Sequence, residues 1–362
     1  MIYLDYQATT PLAPEAFEAM LPWLRDQYAN PHSAHGPGRR AKAVVEIARA
    51  DVAALLPKGG SVAFTSGATE ALNWAIQGTH GAIVTLATEH AAVLDTVAAM
   101  AAQGRSVSIV PVGPDGLVDL AAARAAIVPG TGLVAAMLVN NEIGVIQPVA
   151  ALANLAHAAG ALFLCDAVQG YGRVPIPAQC DLVAVSAHKI YGPKGIGALW
   201  VRDSVRIAPL MHGGGQEALG RSGTVSPALC AGFGAAARLM AERAAADAEK
   251  VAMLWDIATE RLAGWRINGA PDTRYHGNLN VGRAGLDVAR LMSDQRDLAF
   301  SAGSACASGS GRASHVLRAI GLDEASARAS IRIGFGRYTD PEDLSIALGR
   351  IAQAADAQRL AA

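Results

Sequence analysis

The sequence predicts an α/β protein with a mostly parallel central sheet, helices on both faces of it, and a smaller α+β region. Two observations carry this. Between about residues 61 and 201, short apolar runs of strand length alternate with stretches of helical periodicity, the pattern of successive strand–helix–strand units. After about residue 225 the alternation stops, and a long alanine-rich helical stretch leads into shorter elements. The chain has 362 residues, more than one compact core usually organises. The expected division is a large α/β domain over 12–245 and a smaller domain made of 1–11 with 246–362.

Taken in order, residues 61–65, 82–86, 106–112, 133–139, 162–166, 182–186 and 198–201 are apolar runs bounded by turn-forming residues, which reads as strands. Between them, 69–77, 90–103, 120–127 and 149–159 carry helical spacing. Further on, 228–262 reads as one long helix, 278–281, 298–301 and 330–335 as strands, and 342–360 as a closing helix. In open parallel sheets, ligands bind beyond the carboxyl ends of strands, next to helix N-termini. The residues that follow each apolar run are therefore the candidates for chemistry.

Composition narrows the function classes. Hydrophobic residues make up 52% of the chain and the net charge is −1, so a sizeable core forms and global disorder is excluded. No basic or acidic block stands out, which argues against nucleic acid and against an anionic membrane surface. The start, MIYLDYQATTP, has no signal-peptide pattern, and no apolar stretch reaches the roughly 18 residues of a membrane span. Cys165, Cys180, Cys230 and Cys306 are widely spaced and form no CxxC pair, so neither a metal site nor a redox dithiol is expected. The expectation is a cytoplasmic protein with reduced thiols.

Several strand ends carry reactive groups. Phe64-Thr65-Ser66-Gly67-Ala68-Thr69-Glu70 is a strand, a small-residue turn and a helix start, where free N–H groups and the helix dipole suit a phosphate. An ordinary N-cap by Ser66 or Thr69 is the plainer alternative. Asp166 ends an apolar run, with Gln169 three residues on; it fits a partner for a cationic ring nitrogen, or a capping box. Ser186-Ala187-His188-Lys189 follows another run. A lysine amine beside a strand end can form a Schiff base when its pKa is lowered, whereas Lys194 lies in a glycine-rich loop with no strand before it. His90, past the 82–86 run, can stack on a ring or move protons. Arg332 lies in a strand-like run and wants a planar anion, either a substrate carboxylate or a protein one. Asn141 follows the 133–139 run. Residues 301–311, SAGSACASGSG, are almost all small; such a segment should be a mobile loop that leaves Cys306 accessible, while the other three cysteines sit in apolar or alanine-rich surroundings.

The order of these pieces resembles the cysteine desulfurases, in the class V aminotransferase group of fold-type I pyridoxal-phosphate enzymes. The matching segments include LDYQATTP, NPHSAHGPGRRA, FTSGATEALN, TEHAAVLDT, VNNEIGVIQP, DAVQGYG, SAHKIYGPKGIGAL, HGGGQE, RSGT, SAGSACASG and SIRIGFGR, from residue 4 to 337. The resemblance implies a large domain that binds pyridoxal 5'-phosphate and a small one that carries the cysteine loop. It makes Lys189 the lysine that holds the cofactor, Asp166 the partner of its ring nitrogen and Gln169 that of its ring hydroxyl. His90 stacks on the ring and takes part in proton transfer. Ala68, Thr69, Ser186 and His188 bind the phosphate, joined by Thr224 from the other subunit of a homodimer. Asn141 and Arg332 hold the carboxylate of L-cysteine, and Cys306 takes its sulfur as a persulfide for a sulfur-accepting protein, in iron–sulfur cluster assembly or another sulfur pathway.

Two departures from the family pattern stand out. The usual DATQ reads DAVQ, with Val168 in place of threonine, and the tail by which some relatives reach a scaffold protein is expected to be absent after the last helix. The rival readings are a selenocysteine lyase, a class V aminotransferase, and a non-catalytic sulfur-delivery or regulatory partner that kept the fold. An aminotransferase has no need of Cys306, and a non-catalytic relative has no need of the whole set of Lys189, Asp166, His90, Arg332 and Cys306.

Overall fold

The structure, a computed structural model, describes residues 1–217, 219–302 and 313–360. The chain opens with a short strand, β1 (Ile2–Tyr3), and two helices, α1 (Pro14–Arg25) and α2 (Gly36–Ala53). Each helix has proline at its first or second position, where the fixed φ fits and no hydrogen bond is lost. Neither helix is among the elements read from the sequence. In α2 the buried stripe is only Gly38, Ala41, Val45, Ala48 and Val52, a narrow signal among arginines, lysine and exposed apolar residues.

The alternating region follows as β2 (Gly60–Thr65), α3 (Ala68–Gln77), β3 (Ala82–Leu86), α4 (Ala91–Ala102), β4 (Val107–Val110), α5 (Leu120–Ala126), β5 (Thr131–Met137), α6 (Val149–Ala158), β6 (Leu162–Asp166), β7 (Leu182–Ser186) and β8 (Gly197–Arg202). Their sheet has the order β2-β8-β7-β6-β5-β3-β4. From β7 to β4 all pairings are parallel; β8 runs antiparallel to both β7 and β2. Side chains alternate between the faces, as the pleat requires. Val134, Ala136, Val183 and Val185 join a core with residues of α2 and α6 and with Cys230 and Phe233, while Leu133, Ala135, Leu182 and Ala184 face Leu72, Trp74 and Ile76 of α3 and Val93 and Val97 of α4. Two expected strands are shorter at their carboxyl ends. Beyond β4, Val112 pairs only as an isolated bridge with Val118, and beyond β5, Val139 only with Ile146, because the chain turns away from the sheet there.

The expected single helix over 228–262 is two helices, α7 (Pro227–Glu242) and α8 (Ala244–Arg261), separated at Arg243 (φ −104°, ψ 7°). A one-residue break inside an alanine-rich run leaves no periodicity signal. Then come β9 (Arg266–Ile267), β10 (Asn278–Gly282), α9 (Val288–Asp294), β11 (Leu298–Ala299), α10 (His315–Ala319), α11 (Glu324–Arg328), β12 (Ser330–Gly334) and α12 (Pro341–Leu360). Strands β12, β10 and β9 form an antiparallel sheet, and β11 pairs in parallel with β1. The expected strand 298–301 stops at Ala299; Ser301 meets Arg332 as an isolated bridge. A second core forms here from Leu254, Leu279, Phe300, Ile331 and Leu344, joined by Leu4 from the N-terminus.

Candidate active site

One cavity of about 890 Å³ collects residues that follow the carboxyl ends of β2, β3, β5, β6 and β7. Its wall includes Ala68 and Thr69 after β2, His90 after β3, Asn141 after β5, and Asp166 and Gln169 at and beyond β6. Ser186, His188 and Lys189 at the end of β7, with Arg332 of β12, complete it. These residues are far apart in sequence; the parallel strands, all pointing the same way, bring their ends to one rim.

At the β2 end, α3 begins after Gly67 with no side-chain cap, so neither Ser66 nor Thr69 takes the capping role. Instead Thr65 Oγ1 donates to the Gly67 carbonyl (2.9 Å), and the Ser66 N–H donates to Glu70 (2.7 Å), which is itself paired with Arg221 (2.9 Å). The turn is thus braced while the first N–H groups of a ten-residue helix keep no side-chain partner, an arrangement that suits an anion. His188 Nδ1 lies 3.2 Å from Thr9 Oγ1. Burial, followed by the charges of Lys189 and Lys194, pushes the His188 imidazole down to about 4, so the ring is neutral near pH 7.

Lys189 ends a single 3-10 turn directly after β7. Its Nζ donates to the carbonyls of Ala8 (2.8 Å) and Gln7. The Gln7 carbonyl also accepts from Gln169 Nε2 (3.0 Å), which fixes the amide beside the lysine. Lys194 lines the same cavity, so the glycine-rich loop is closer to the site than its sequence setting implies. Asp166 does not cap a helix. Its Oδ1 accepts the N–H of Val168 (3.0 Å), a backbone bond that the replacement of threonine by valine leaves intact. Burial raises the Asp166 carboxyl above its ordinary range, opposed by that hydrogen bond and by the nearby His90 and Lys189. A cation placed against it would reverse that shift. His90 is the N-cap of α4: its Nδ1 accepts from the Ala92 N–H (3.0 Å), which puts the proton of the neutral ring on Nε2.

Arg332 is almost wholly buried. Its guanidinium donates to Asp5 Oδ1 (2.8 Å), to Ser301 Oγ (3.3 Å) and to the Asn141 carbonyl (3.0 Å), and its Nε has no partner among the described residues. The protein carboxylate that sequence reasoning left as an alternative is therefore present as Asp5, beside a donor still unsatisfied. Acidic groups near the cavity that were not anticipated include Asp5, Glu89 and Glu142. Glu89 is fully buried and accepts from the Met137 N–H (2.9 Å), and burial pushes its carboxyl well above the ordinary range. His315 Nε2 lies 2.9 Å from the Glu89 carbonyl, which can only accept, and Ser314 Oγ donates to Glu142. Gln7 and Asp5 sit within the LDYQATTP segment, but no local spacing connects them to a lysine 182 residues away from Gln7.

Thr224 is exposed and does not line this cavity. Cys306, with the small-residue loop expected around it, lies outside the described residues; Ala313 and His315, beyond that segment, are on the cavity wall. The other cysteines are buried. The contact with Cys180, together with burial, raises the Cys165 thiol well above its usual range, and burial takes Cys230 up to about 12. Neither is a thiolate near neutral pH.

The donor set has the chemistry of a phosphorylated, cationic aromatic ring with a carbonyl group. An uncapped helix start, Thr69, Ser186 and a histidine suit the phosphate. A buried carboxylate suits a ring N–H⁺, an amide suits a ring hydroxyl, and a lysine amine suits the carbonyl carbon.

The family model described as aminotransferase class-V matches residues 2–346. Cysteine desulfurase IscS of Rickettsia bellii (strain OSU 85-389) is 43% identical over 365 residues, covering 96% of this chain and 89% of that protein. Its namesake from Rickettsia akari (strain Hartford) is 42% identical, with 99% and 92% covered. Among solved structures, a NifS-like protein superposes with a TM-score of 0.89 at 31% identity, covering 98% of this chain and 99% of that one. A structure described as SspA in complex with cysteine does so with 0.84 at 34% identity, covering 94% and 100%.

Proposed function

The chain belongs to the cysteine desulfurases of the aminotransferase class-V family, and from that premise we propose that the cavity around Lys189 is where L-cysteine gives up its sulfur. The protein is a pyridoxal-phosphate-dependent enzyme with the fold-type I architecture, acting on cysteine and passing sulfur to an acceptor protein. What supports the assignment of the site is the convergence of Lys189, Asp166, His90 and Arg332 on one cavity from four separate elements.

In this reading Ala68, Thr69, Ser186 and His188 hold the cofactor's phosphate, Asp166 its ring nitrogen, Gln169 its hydroxyl and Lys189 its carbonyl carbon. When bound, pyridoxal 5'-phosphate supplies an electron sink that makes the substrate's Cα–H acidic and its Cβ–S bond labile. Arg332 and Asn141 orient the substrate carboxylate. With the substrate's amine in its place on the carbonyl carbon, the Lys189 amine, confined by the Ala8 and Gln7 carbonyls, would take the Cα proton, and His90, with its proton on Nε2, would serve the sulfur and amine end. The Cys306 thiolate attacks the substrate sulfur. An S–S bond forms, the C–S bond breaks with its electron pair left on carbon, and that carbon takes a proton to become the methyl group of alanine. Buried Cys165, Cys180 and Cys230 are unsuited to this attack.

The same reading makes the enzyme a homodimer in which Thr224 reaches the partner's phosphate. Exposed Leu12, Phe17, Leu24 and Tyr28 on and around α1, with Ile47 on α2, give such a dimer apolar surface to bury. The separate core made from Leu4 and residues beyond Leu254 supports the division into 12–245 and 1–11 with 246–362. Among the described residues no helix is long and apolar enough to cross a membrane, which accords with a cytoplasmic enzyme that supplies iron–sulfur cluster or other sulfur-compound synthesis. The test is stoichiometry: with cysteine and a thiol reductant, alanine and sulfide should appear in equal amounts, and Lys189→Ala should release neither. Turnover of selenocysteine but not of cysteine would move the assignment to a selenocysteine lyase.

A further inference from the structure

The N-terminal segment enters the site between the two halves of the chain. The Leu4 N–H donates to the Ala299 carbonyl and the Leu4 carbonyl accepts from the Gly334 N–H, both at 2.7 Å. Asp5 is thereby fixed beside β12, two residues before the Gln7 carbonyl that accepts from Lys189 Nζ. Its Oδ1 accepts two donors at 2.8 Å, Arg332 Nη2 and Ser301 Oγ. The Arg332 side chain is 2% exposed and that of Asp5 17%, so the pair is shielded and its geometry is held by more than solvent-screened attraction. Ser301 and Arg332 also exchange both backbone hydrogen bonds (2.8 and 3.2 Å). The Arg332 guanidinium is thus fixed on three sides, by Asp5, Ser301 and the Asn141 carbonyl, with Nε left without a partner among the described residues.

A guanidinium on a long side chain selects a carboxylate by geometry only when its plane is fixed beforehand. One carboxylate oxygen shared between the guanidinium and a hydroxyl does this. It also neutralises Arg332 in a buried setting, so the substrate carboxylate is recognised by donors in fixed directions more than by net charge. We propose that Asp5 is a positioning residue for substrate-carboxylate recognition, holding Arg332 and Ser301 on a single oxygen. This rests on the reading of Arg332 as the carboxylate site.

The experiment uses the holoenzyme and two amines that differ only by the carboxylate, L-alanine and ethylamine, with binding read from the cofactor's visible absorption. Wild type should prefer L-alanine. Arg332→Met should bring L-alanine down to the ethylamine level; if it does not, the reading of Arg332 fails and the proposal with it. Given that loss, Asp5→Ala should weaken L-alanine at least tenfold and ethylamine less than twofold. Asp5→Asn, which keeps the shape and one acceptor, should fall between Asp5→Ala and wild type. If Asp5→Ala does not fold, Asp5→Asn decides. An unchanged preference in the Asp5 variants overturns the proposal, and so does equal weakening of both amines, which is the mark of a merely structural role.

Discussion

Replacing Gly197 by alanine should injure cofactor binding although residue 197 carries no catalytic group. Gly197 opens β8, opposite Thr65 on one side and Ser186 on the other. A Cβ there would lie 2.6 Å from the Val185 carbonyl oxygen and 2.7 and 2.8 Å from backbone atoms of Gly67. Ordinary contact begins at 3.4 Å, so the backbone must yield by about 0.6 to 0.8 Å. Overpacking of this kind costs about 1–3 kcal/mol. Val185 is inside the sheet, so the easier relief is to displace Gly67, the residue that precedes α3. That displacement would move the α3 N–H groups away from the phosphate proposed to lie there. Loss of one hydrogen bond to a charged group costs about 1.5–3 kcal/mol, or roughly ten- to a hundredfold in affinity. The assay is titration of cofactor-free protein with pyridoxal phosphate, followed by visible absorption, beside a thermal melt. Gly349→Ala is the control: it lies in α12 with nothing among the described residues within 4 Å of the added carbon, should stabilise by about 0.5–1 kcal/mol, and should leave affinity unchanged. If Gly197→Ala melts lower but binds the cofactor as wild type does, the placement of the phosphate at the α3 start is wrong.

Further outcomes follow from the same geometry. Lys189→Ala should remove the visible band of the bound cofactor while Lys194→Ala keeps it; the reverse result would exchange the two lysines. Burial raises Glu89 well above the ordinary carboxyl value of about 4.5, so the folded state holds a proton that the unfolded state has released, and stability from this group is full below about 4.5 and lost as pH rises toward the folded pKa. Glu89→Gln cannot ionise, so urea melts should show the difference between variant and wild type shifting in favour of glutamine by about 1.4 kcal/mol per pH unit through that range; a pH-independent difference contradicts the buried, neutral acid. His188 should titrate near 4 in cofactor-free protein, and NMR should show it moving upward when the phosphate arrives. An imidazole that ignores the cofactor is not a phosphate ligand.

Much of the site was legible because its chemistry follows strand ends. Asp166, His90, Asn141 and Lys189 each come just after an apolar run, and the parallel direction of β3, β5, β6 and β7 carries all of them to one rim. What could not be read depends on partners remote in sequence. The insertion of antiparallel β8 between β2 and β7 is a pairing choice that no local pattern encodes. Asp5 and Gln7 act across 327 and 182 residues on Arg332 and Lys189, and each alone is an ordinary polar residue. Glu89 stands beside His90 in sequence yet is fully buried, because the chain turns between the end of β3 and the N-cap of α4. The two-sided sheet was legible in unbroken apolar runs that alternate with helical stretches, whereas the break at Arg243 was not, since alanine packs equally well on either side of it.

The central claim is that sulfur leaves cysteine in the Lys189 cavity and is received by Cys306. Mass spectrometry after a single turnover tests it most directly. Protein mixed with one equivalent of L-cysteine, alkylated and digested should carry one added sulfur, 32 Da by elemental mass, on the peptide that contains Cys306, with none on those of Cys165, Cys180 or Cys230. Cys306→Ala should still bind cysteine and perturb the cofactor's absorption but carry no added sulfur. Sulfur found on one of the other cysteines, or a Cys306→Ala protein that transfers it in full, would contradict the account.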